Sequence, residues 1–408
     1  MKRTDNTIID ITRDVKWIGA FDYDIRTFDI VMHTKYGTTY NSYFIDADKK
    51  AIIDVAKEKF SETYVAKLKS VTNPDEIKYI ILNHTEPDHS GSLGLILDLA
   101  PSATVVGSGN AIRYLEDILN VPFKSIVVKD GDRIDLGNKT LEFISAPNLH
   151  WPDSMYTLLV EDRILFTCDS FGAHYCSTEI FSDFSEEYTE TFKYYFDVIM
   201  KPYSRFMLKA IEWIKPLELD FICPGHGPVH RENLRKAIDL TESYANAYMH
   251  LTTGRTDNHI LIAYVSAYGY TRQAAEWIAS GILETEKISV DISDIEDIAA
   301  DILESKIIAA DGLLIGSPTI NQNTFLPVYK MFSLINPIRD RGKLGGSFGS
   351  YGWSGESPKI ILENLRMLRF KIFEESGLFK LSPGGAKKEQ LIEFGRKFAK
   401  KFMEECGR

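Results

Sequence analysis

His84, Glu86, Asp88 and His89 fall within six residues of one another in NHTEPDHSGSL, residues 83–93. Crowded imidazoles and carboxylates are tolerable on a solvated loop and favourable around a metal ion, whose charge offsets their repulsion and desolvation. Three residues of the same kinds follow: His150 in APNLHWPDS, Asp169 in FTCDS and His226 in CPGHGP. Each lies where an apolar run gives way to polar or Gly/Pro residues. Each therefore reads as the end of a strand, where a loop can aim several side chains at one point. Any one alone would be an ordinary hydrogen-bonded histidine or a turn aspartate. The close spacing of the first four is what points to a metal.

The elements that must position these residues are legible in outline. KYIILNH is a buried strand running into the first cluster, and LGLILDLA has the apolar character of a helix start. ATVVGSG reads as another strand. KDGDRIDLGNKTLEFISAP and SMYTLLVEDRILFTCDS read as hairpins, with Gly-Asn and Glu-Asp turns between alternating apolar residues. The chain up to about residue 230 is thus α/β with much antiparallel pairing. GPVHRENLRKAIDLTESYANAYMHL reads as one long helix and TTGRTDNH as a linker, which places a boundary near residue 256 and divides the chain into domains 1–256 and 257–408.

From His259 the texture changes. HILIAYVSAYGYT, ISVDISDI, ADGLLIGSPT and LGGSFGSYGWSGE are apolar strands ending in Gly/Ser/Thr loops, with helical stretches such as TRQAAEWIASGILE and PKIILENLRML between them. That alternation predicts a doubly wound parallel sheet. SAYGYT, between a strand and a helix, offers backbone amides, hydroxyls and a helix N-terminus, which favour a phosphate. It is neither a Walker loop nor G-x-G-x-x-G. GSGNAI at 107–112 approaches the latter but has Ile112 at the third glycine position, and it reads as a strand-to-helix turn. SPTINQN and SYGWSGE end the next strands on the same sheet edge, where ligands bind in such folds.

At 408 residues two domains are expected, and 44% hydrophobic with 26% charged residues describes a globular chain without low-complexity tracts. The net charge of -11 disfavours nucleic acid and anionic lipid. The one basic stretch, GAKKEQLIEFGRKFAKKFME, alternates its lysines with Leu391, Ile392, Phe394, Phe398 and Phe402, the pattern of an amphipathic closing helix. No apolar run approaches the ~20 residues of a membrane span, and the N-terminus lacks a signal-peptide core, so a cytoplasmic location is expected. Cys168, Cys176, Cys223 and Cys406 are scattered, without the C-x-x-C pair of a zinc knuckle or rubredoxin-like iron site. An electron donor carrying such a site would be a separate protein.

The order H-x-E-x-D-H, His, Asp, G-H-G, with the hairpins, resembles the metallo-β-lactamase fold, an αββα sandwich. Zinc hydrolases of that fold usually carry H-x-H-x-D-H, whereas Glu86 holds the middle position here. A carboxylate is a harder, anionic ligand that suits iron and stabilises its oxidised state. With the flavodoxin-like second half, nearly the whole chain resembles the flavodiiron proteins, or A-type flavoproteins. The resemblance implies two non-haem irons: one held by His84, Glu86 and His150, the other by Asp88, His89 and His226, with Asp169 bridging. Each imidazole is expected to have a hydrogen-bond acceptor at its other nitrogen. His174 in SFGAHYCS and Tyr195 in KYYFD are candidates for supporting the site or delivering protons.

The resemblance also implies FMN. Ser266, Ala267, Tyr268, Gly269, Tyr270 and Thr271 would hold the phosphate. Ser317, Pro318, Thr319, Ile320 and Asn321, with Ser350, Tyr351, Gly352, Trp353, Ser354 and Gly355, would surround the isoalloxazine, Tyr268 and Trp353 being its aromatic neighbours. The implied activity is reduction of dioxygen to water or nitric oxide to nitrous oxide, in a head-to-tail homodimer or a dimer of such dimers. Rubredoxin or a reduced deazaflavin coenzyme would be the donor. Two alternatives stay open from the residues alone: a metal-dependent hydrolase of the same fold, which Glu86 disfavours, and a flavin electron carrier, which the complete ligand set disfavours.

Overall fold

The computed structural model describes residues 6–29, 32–177, 179–253 and 258–407. Contacts divide the chain into two compact units, Met1–Tyr248 and Met249–Arg408. The boundary expected near residue 256 lies outside the described residues.

The first unit is built on two sheets. One runs Ile9–Asp10, Val15–Trp17, Tyr43–Ile45, Lys50–Ile53, Ile77–Leu82, Thr104–Gly107, Ser125–Val127 in spatial order. Its pairing is antiparallel as far as Lys50–Ile53 and parallel beyond. The other runs Arg133–Asp135, Thr140–Ser145, Met155–Leu159, Ile164–Cys168, Phe221–Pro224, antiparallel except for its last pair. Both expected hairpins are in this second sheet. Trp17, Ile45, Ile53 and Ile81 from the first sheet meet Phe143, Leu159 and Phe166 from the second in one buried core. Helices Ser61–Val71, Leu93–Leu99 and Gly109–Leu119 cover the first sheet's other face, and Glu186–Tyr195, Ser204–Ile214 and Leu234–Thr253 cover the second's. Two inward faces and two helical coats give an αββα sandwich, because each sheet is apolar on both sides.

The last of these helices begins later than the sequence pattern predicts. Residues 227–233 are held out of it by backbone bridges, Val229 to Phe181 and His230 to Ile222. Tertiary pairing here overrides helical periodicity.

In the second unit five parallel strands run Ile288–Asp294, Asn258–Tyr264, Gly312–Gly316, Leu344–Tyr351, Lys371–Lys380. The spatial order 2-1-3-4-5 is that of a flavodoxin-like sheet. Helices Tyr270–Ile282 and Ala386–Glu405 share one face of it, where Ile278, Leu391, Phe394, Phe398 and Phe402 are buried. The closing helix is therefore as its spacing predicts, with Ile392 only partly covered. Gly281 and Gly395 set its distance: a Cβ on either would collide with a carbonyl oxygen of the facing helix, Ile392 or Ile278 respectively. Helices Ala300–Ala309, Leu326–Leu334 and Ser357–Met367 pack on the opposite face.

Candidate functional site

The strand Ile77–Leu82 delivers the first cluster, and Asn83 fastens its end. The Asn83 backbone N–H donates to Asp54 Oδ1 at 2.8 Å, and its side-chain oxygen accepts from Thr157 Oγ1 at 2.6 Å. Beyond His84 and Glu86 the chain closes into a single helical turn, Pro87–Ser90, with proline at a position whose N–H has no helical partner in any case. The change of conformation splits the cluster. Ligand-type atoms of His84, Glu86, His150 and Asp169 lie within 4.8 Å of one another, and so do those of Asp88, His89 and His226.

Asp169 joins the two groups. Its Oδ2 lies 3.0 Å from His150 Nε2 and 3.5 Å from His84 Nε2, while Oδ1 lies 3.1 Å from His89 Nε2 and 3.5 Å from His226 Nε2. One oxygen thus faces each group. A register shift between Phe166 and Cys168, and a left-handed Cys168 at φ 46°, turn the strand end that carries it. Bulges of this kind re-aim side chains. The G-H-G glycines have steric reasons: a Cβ on Gly225 would lie 2.6 Å from His89 Cε1, and Gly227, at φ 75°, abuts the Ala173 carbonyl.

The electrostatics suit a cation. Burial disfavours charge on His84, yet contacts with Asp153 and Glu86 outweigh it and raise its pKa to about 10. His89, against the same penalty, is raised to about 9 by Asp88 and Asp169, and His150 to about 10 by Asp169 and Glu86. Burial likewise opposes ionisation of Glu86, Asp88 and Asp169, but the facing imidazoles hold all three below the usual carboxylate range. Asp88 Oδ2 lies 3.0 Å from His226 Nε2, yet neither Asp88 oxygen has a hydrogen-bond partner among the described residues. Close approach without hydrogen-bond alignment fits ligands that converge on a shared ion, and an unpartnered buried carboxylate is otherwise costly. Imidazole and carboxylate together are a donor set that iron accepts.

An acceptor at the second nitrogen is found for His84, at Asp153, and for His226, whose Nδ1 donates to the Thr39 carbonyl at 2.6 Å. It is not found among the described residues for His89, whose buried Nδ1 lies near Gly225. His174 and Tyr195 both lie against the cluster. The Tyr195 hydroxyl donates to Asp169 Oδ1 at 3.2 Å. His174 stacks on Phe28 at 4.2 Å, places Nδ1 2.8 Å from Thr38 Oγ1 and leaves Nε2 buried without a hydrogen-bond partner among the described residues. Burial, helped by the charge of His226, holds its pKa well below the usual imidazole value. Sequence reasoning missed Asp153, Asp54, Thr38, Thr39 and the edge-on Trp151, 5.1 Å from the His84 ring. Only Asp153 carried a signal, as a carboxylate three residues beyond His150 in a quoted segment.

In the second unit the three loops meet at the carboxyl edge of the sheet around a cleft of about 280 Å³. Ser266, Ala267, Tyr268, Tyr270, Thr271, Pro318, Thr319, Ile320, Ser350, Tyr351, Gly352 and Trp353 line it, joined by Leu381, which the sequence did not suggest. Gly269, Ser317, Asn321, Ser354 and Gly355 belong to the loops but stand back from the walls. Gly269, at φ 79°, starts the helix Tyr270–Ile282, and the Ser317 hydroxyl is turned to the Pro318 carbonyl at 3.0 Å. The Thr319 N–H donates to the Ser350 carbonyl at 2.8 Å and ties two of the loops together. Tyr268 and Trp353 are 81% and 83% exposed, so their rings are free to cover a flat ligand. The Thr271 hydroxyl, in the first helical turn, is buried and has no hydrogen-bond partner among the described residues, and a helix N-terminus is a place that favours a phosphate.

A family profile described as ODP family beta lactamase matches residues 38–227, and one described as Flavodoxin matches residues 262–395. The type A flavoprotein fprA of Rhodobacter capsulatus is 37% identical over 94% of this chain and 89% of its own length. The flavo-diiron protein FprA2 of Clostridium acetobutylicum is 36% identical over 96% and 99%. Among solved structures, rubredoxin oxygen:oxidoreductase of Desulfovibrio gigas aligns with TM-score 0.67 and 28% identity, covering 98% of this chain and 100% of that one. The flavodiiron protein of Giardia intestinalis aligns with TM-score 0.65 and 27% identity, covering 98% of each.

Proposed function

The chain belongs to the flavodiiron, or type A flavoprotein, family of oxidoreductases, and from that membership we propose that it reduces a diatomic gas, dioxygen to water or nitric oxide to nitrous oxide. The observation that carries the reading is the carboxylate of Asp169, one oxygen toward each of two ligand groups. A site for one ion needs no such arrangement.

His84, Glu86 and His150 would hold one iron and Asp88, His89 and His226 the other, with Asp169 reaching both. The loops at Ser266, Ser317 and Ser350 would hold FMN. Two ferrous ions and a reduced flavin, when bound, would supply the electrons, and seven protein ligands would leave room for the gas. The protein's own side chains do the rest. Tyr195 keeps a donor on Asp169 and can hand a proton toward that edge, while His174 stays neutral beside it. Phe28 and Tyr40 pack against the His226 ring and Trp151 against the His84 ring, and both imidazoles are buried. A rubredoxin-like protein or a reduced deazaflavin coenzyme is the proposed donor, a head-to-tail homodimer the proposed assembly and the cytoplasm the proposed location. No helix among the described residues is long and apolar enough to cross a membrane.

Purified protein is expected to be yellow, with about two irons per chain. After anaerobic reduction, stopped-flow mixing with each gas in turn should reoxidise it. Reoxidation by neither gas would overturn the reading, and the faster one identifies the substrate.

A further inference from the structure

We infer that Asp153 is the positioning residue that fixes His84 as a metal ligand and ties the backbone of the first cluster in place; the inference rests on the two-metal reading above. Asp153 is fully buried. Its Oδ1 and Oδ2 lie 3.2 and 3.1 Å from His84 Nδ1, and Oδ2 also accepts from the Thr85 backbone N–H at 2.8 Å and the Thr85 hydroxyl at 2.7 Å. The carboxylate therefore holds a ligand and the residue between two ligands, His84 and Glu86. It is itself held: the Ser108 hydroxyl, which caps the helix Gly109–Leu119, donates to the Asp153 carbonyl at 2.8 Å, and the next residue but one, Met155, donates its N–H to the Asn83 carbonyl at 3.0 Å.

The pairing decides the tautomer of His84. A carboxylate can only accept, so Nδ1 must carry the proton, and the Nε2 lone pair is left facing two further acceptors, Glu86 Oε2 at 3.3 Å and Asp169 Oδ2 at 3.5 Å. A lone pair aimed at two carboxylate oxygens is stable only with a cation among them, a proton when no metal is bound and the metal ion when one is. Trp151, edge-on to His84 at 5.1 Å, adds a steric wall to the same ring orientation. A buried negative charge behind the imidazole also makes it the more basic ligand.

The test is D153N, which keeps volume but loses the charge and turns one acceptor into a donor facing the His84 N–H. Full-length protein freed of metal is titrated with Co²⁺ against a competing chelator, with the Co²⁺ absorption bands reporting ligand geometry and circular dichroism and FMN content reporting fold. The wild type should bind two Co²⁺. D153N should bind one with unchanged affinity and the other about 10- to 100-fold more weakly, with altered bands. D153E, which restores the charge one methylene further out, should recover part of the loss. Two Co²⁺ bound by D153N with wild-type affinity and bands would overturn the assignment of Asp153 alone. A wild type that binds fewer than two would overturn the two-metal reading and, with it, this inference.

Discussion

The Tyr195 hydroxyl donates to the same oxygen of Asp169 that lies 3.1 Å from His89 Nε2. The other hydrogen bonds to that carboxylate, from His150 and His89, come from candidate ligands, so Tyr195 is the donor that a bound metal would not displace. Y195F removes that donor without opening a cavity. It should leave two metals per chain and slow gas reduction about tenfold, equivalent to about 1.4 kcal/mol of barrier. Metal analysis and stopped-flow reoxidation check the two halves. An unchanged rate would reduce Tyr195 to a packing residue.

Glu86 distinguishes this site from a two-histidine start. E86Q removes the charge and keeps the shape, and metal content should drop from about two to about one per chain, with gas consumption lower by at least about 100-fold. E86H should instead recover metal, with zinc competing more effectively than in the wild type. Iron and zinc assays after growth with both metals read the difference.

At Thr271 two effects have opposite signs. T271V replaces a buried, unpartnered hydroxyl by a methyl, so the flavin-free protein should be as stable as wild type or more so. A hydrogen bond to a charged group contributes about 1.5–3 kcal/mol, so FMN should bind roughly 10- to 100-fold more weakly. Fluorescence quenching of added FMN measures it. Unaltered affinity would place the phosphate elsewhere.

His230 gives the pH dependence outside the metal cluster. Burial lowers its pKa to about 4, outweighing the Phe171 carbonyl, which accepts from Nε2 at 2.7 Å and works the other way; Nδ1 accepts from Ser182 Oγ at 2.9 Å. The unfolded ring, near 6.5, binds a proton that the folded ring refuses between pH 6.5 and 4. Stability therefore rises with pH across that window and is lost as pH falls through it, by about 3 kcal/mol for this group. Its ring resonances should stay at their neutral positions down to pH 5 in the NMR spectrum. Titration near pH 6.5 would show the ring to be solvated.

Gly281 tests the packing of the second unit. G281A drives a methyl into the Ile392 carbonyl and should cost about 1–3 kcal/mol. FMN release on heating would then begin at a lower temperature, while the metal content of the first unit stays the same.

Much of this was legible in the residues themselves. The cluster at residues 84–89, the Gly/Ser/Thr loops that end the strands of the second half and the amphipathic closing helix depend on local spacing, and spacing is written along the chain; the set of seven candidate ligands and the flavin role of the loops came from the family resemblance. Residues 227–233 were misread as helix because the bridges that hold them come from Phe181 and Ile222, which no local period records. The division of His84 and Glu86 from Asp88 and His89, which the family resemblance implied, is made in the fold by one turn at Pro87 and the approach of His150 and His226. Asp153 belongs to the same class: it meets His84 across 69 residues of sequence, so only the stacking of two sheets could bring an acceptor to that ring. Sequence determined which chemical groups were present, because that is composition and spacing. Tertiary structure decided which oxygen faces which nitrogen, because such contacts exist only once distant strand ends share one edge.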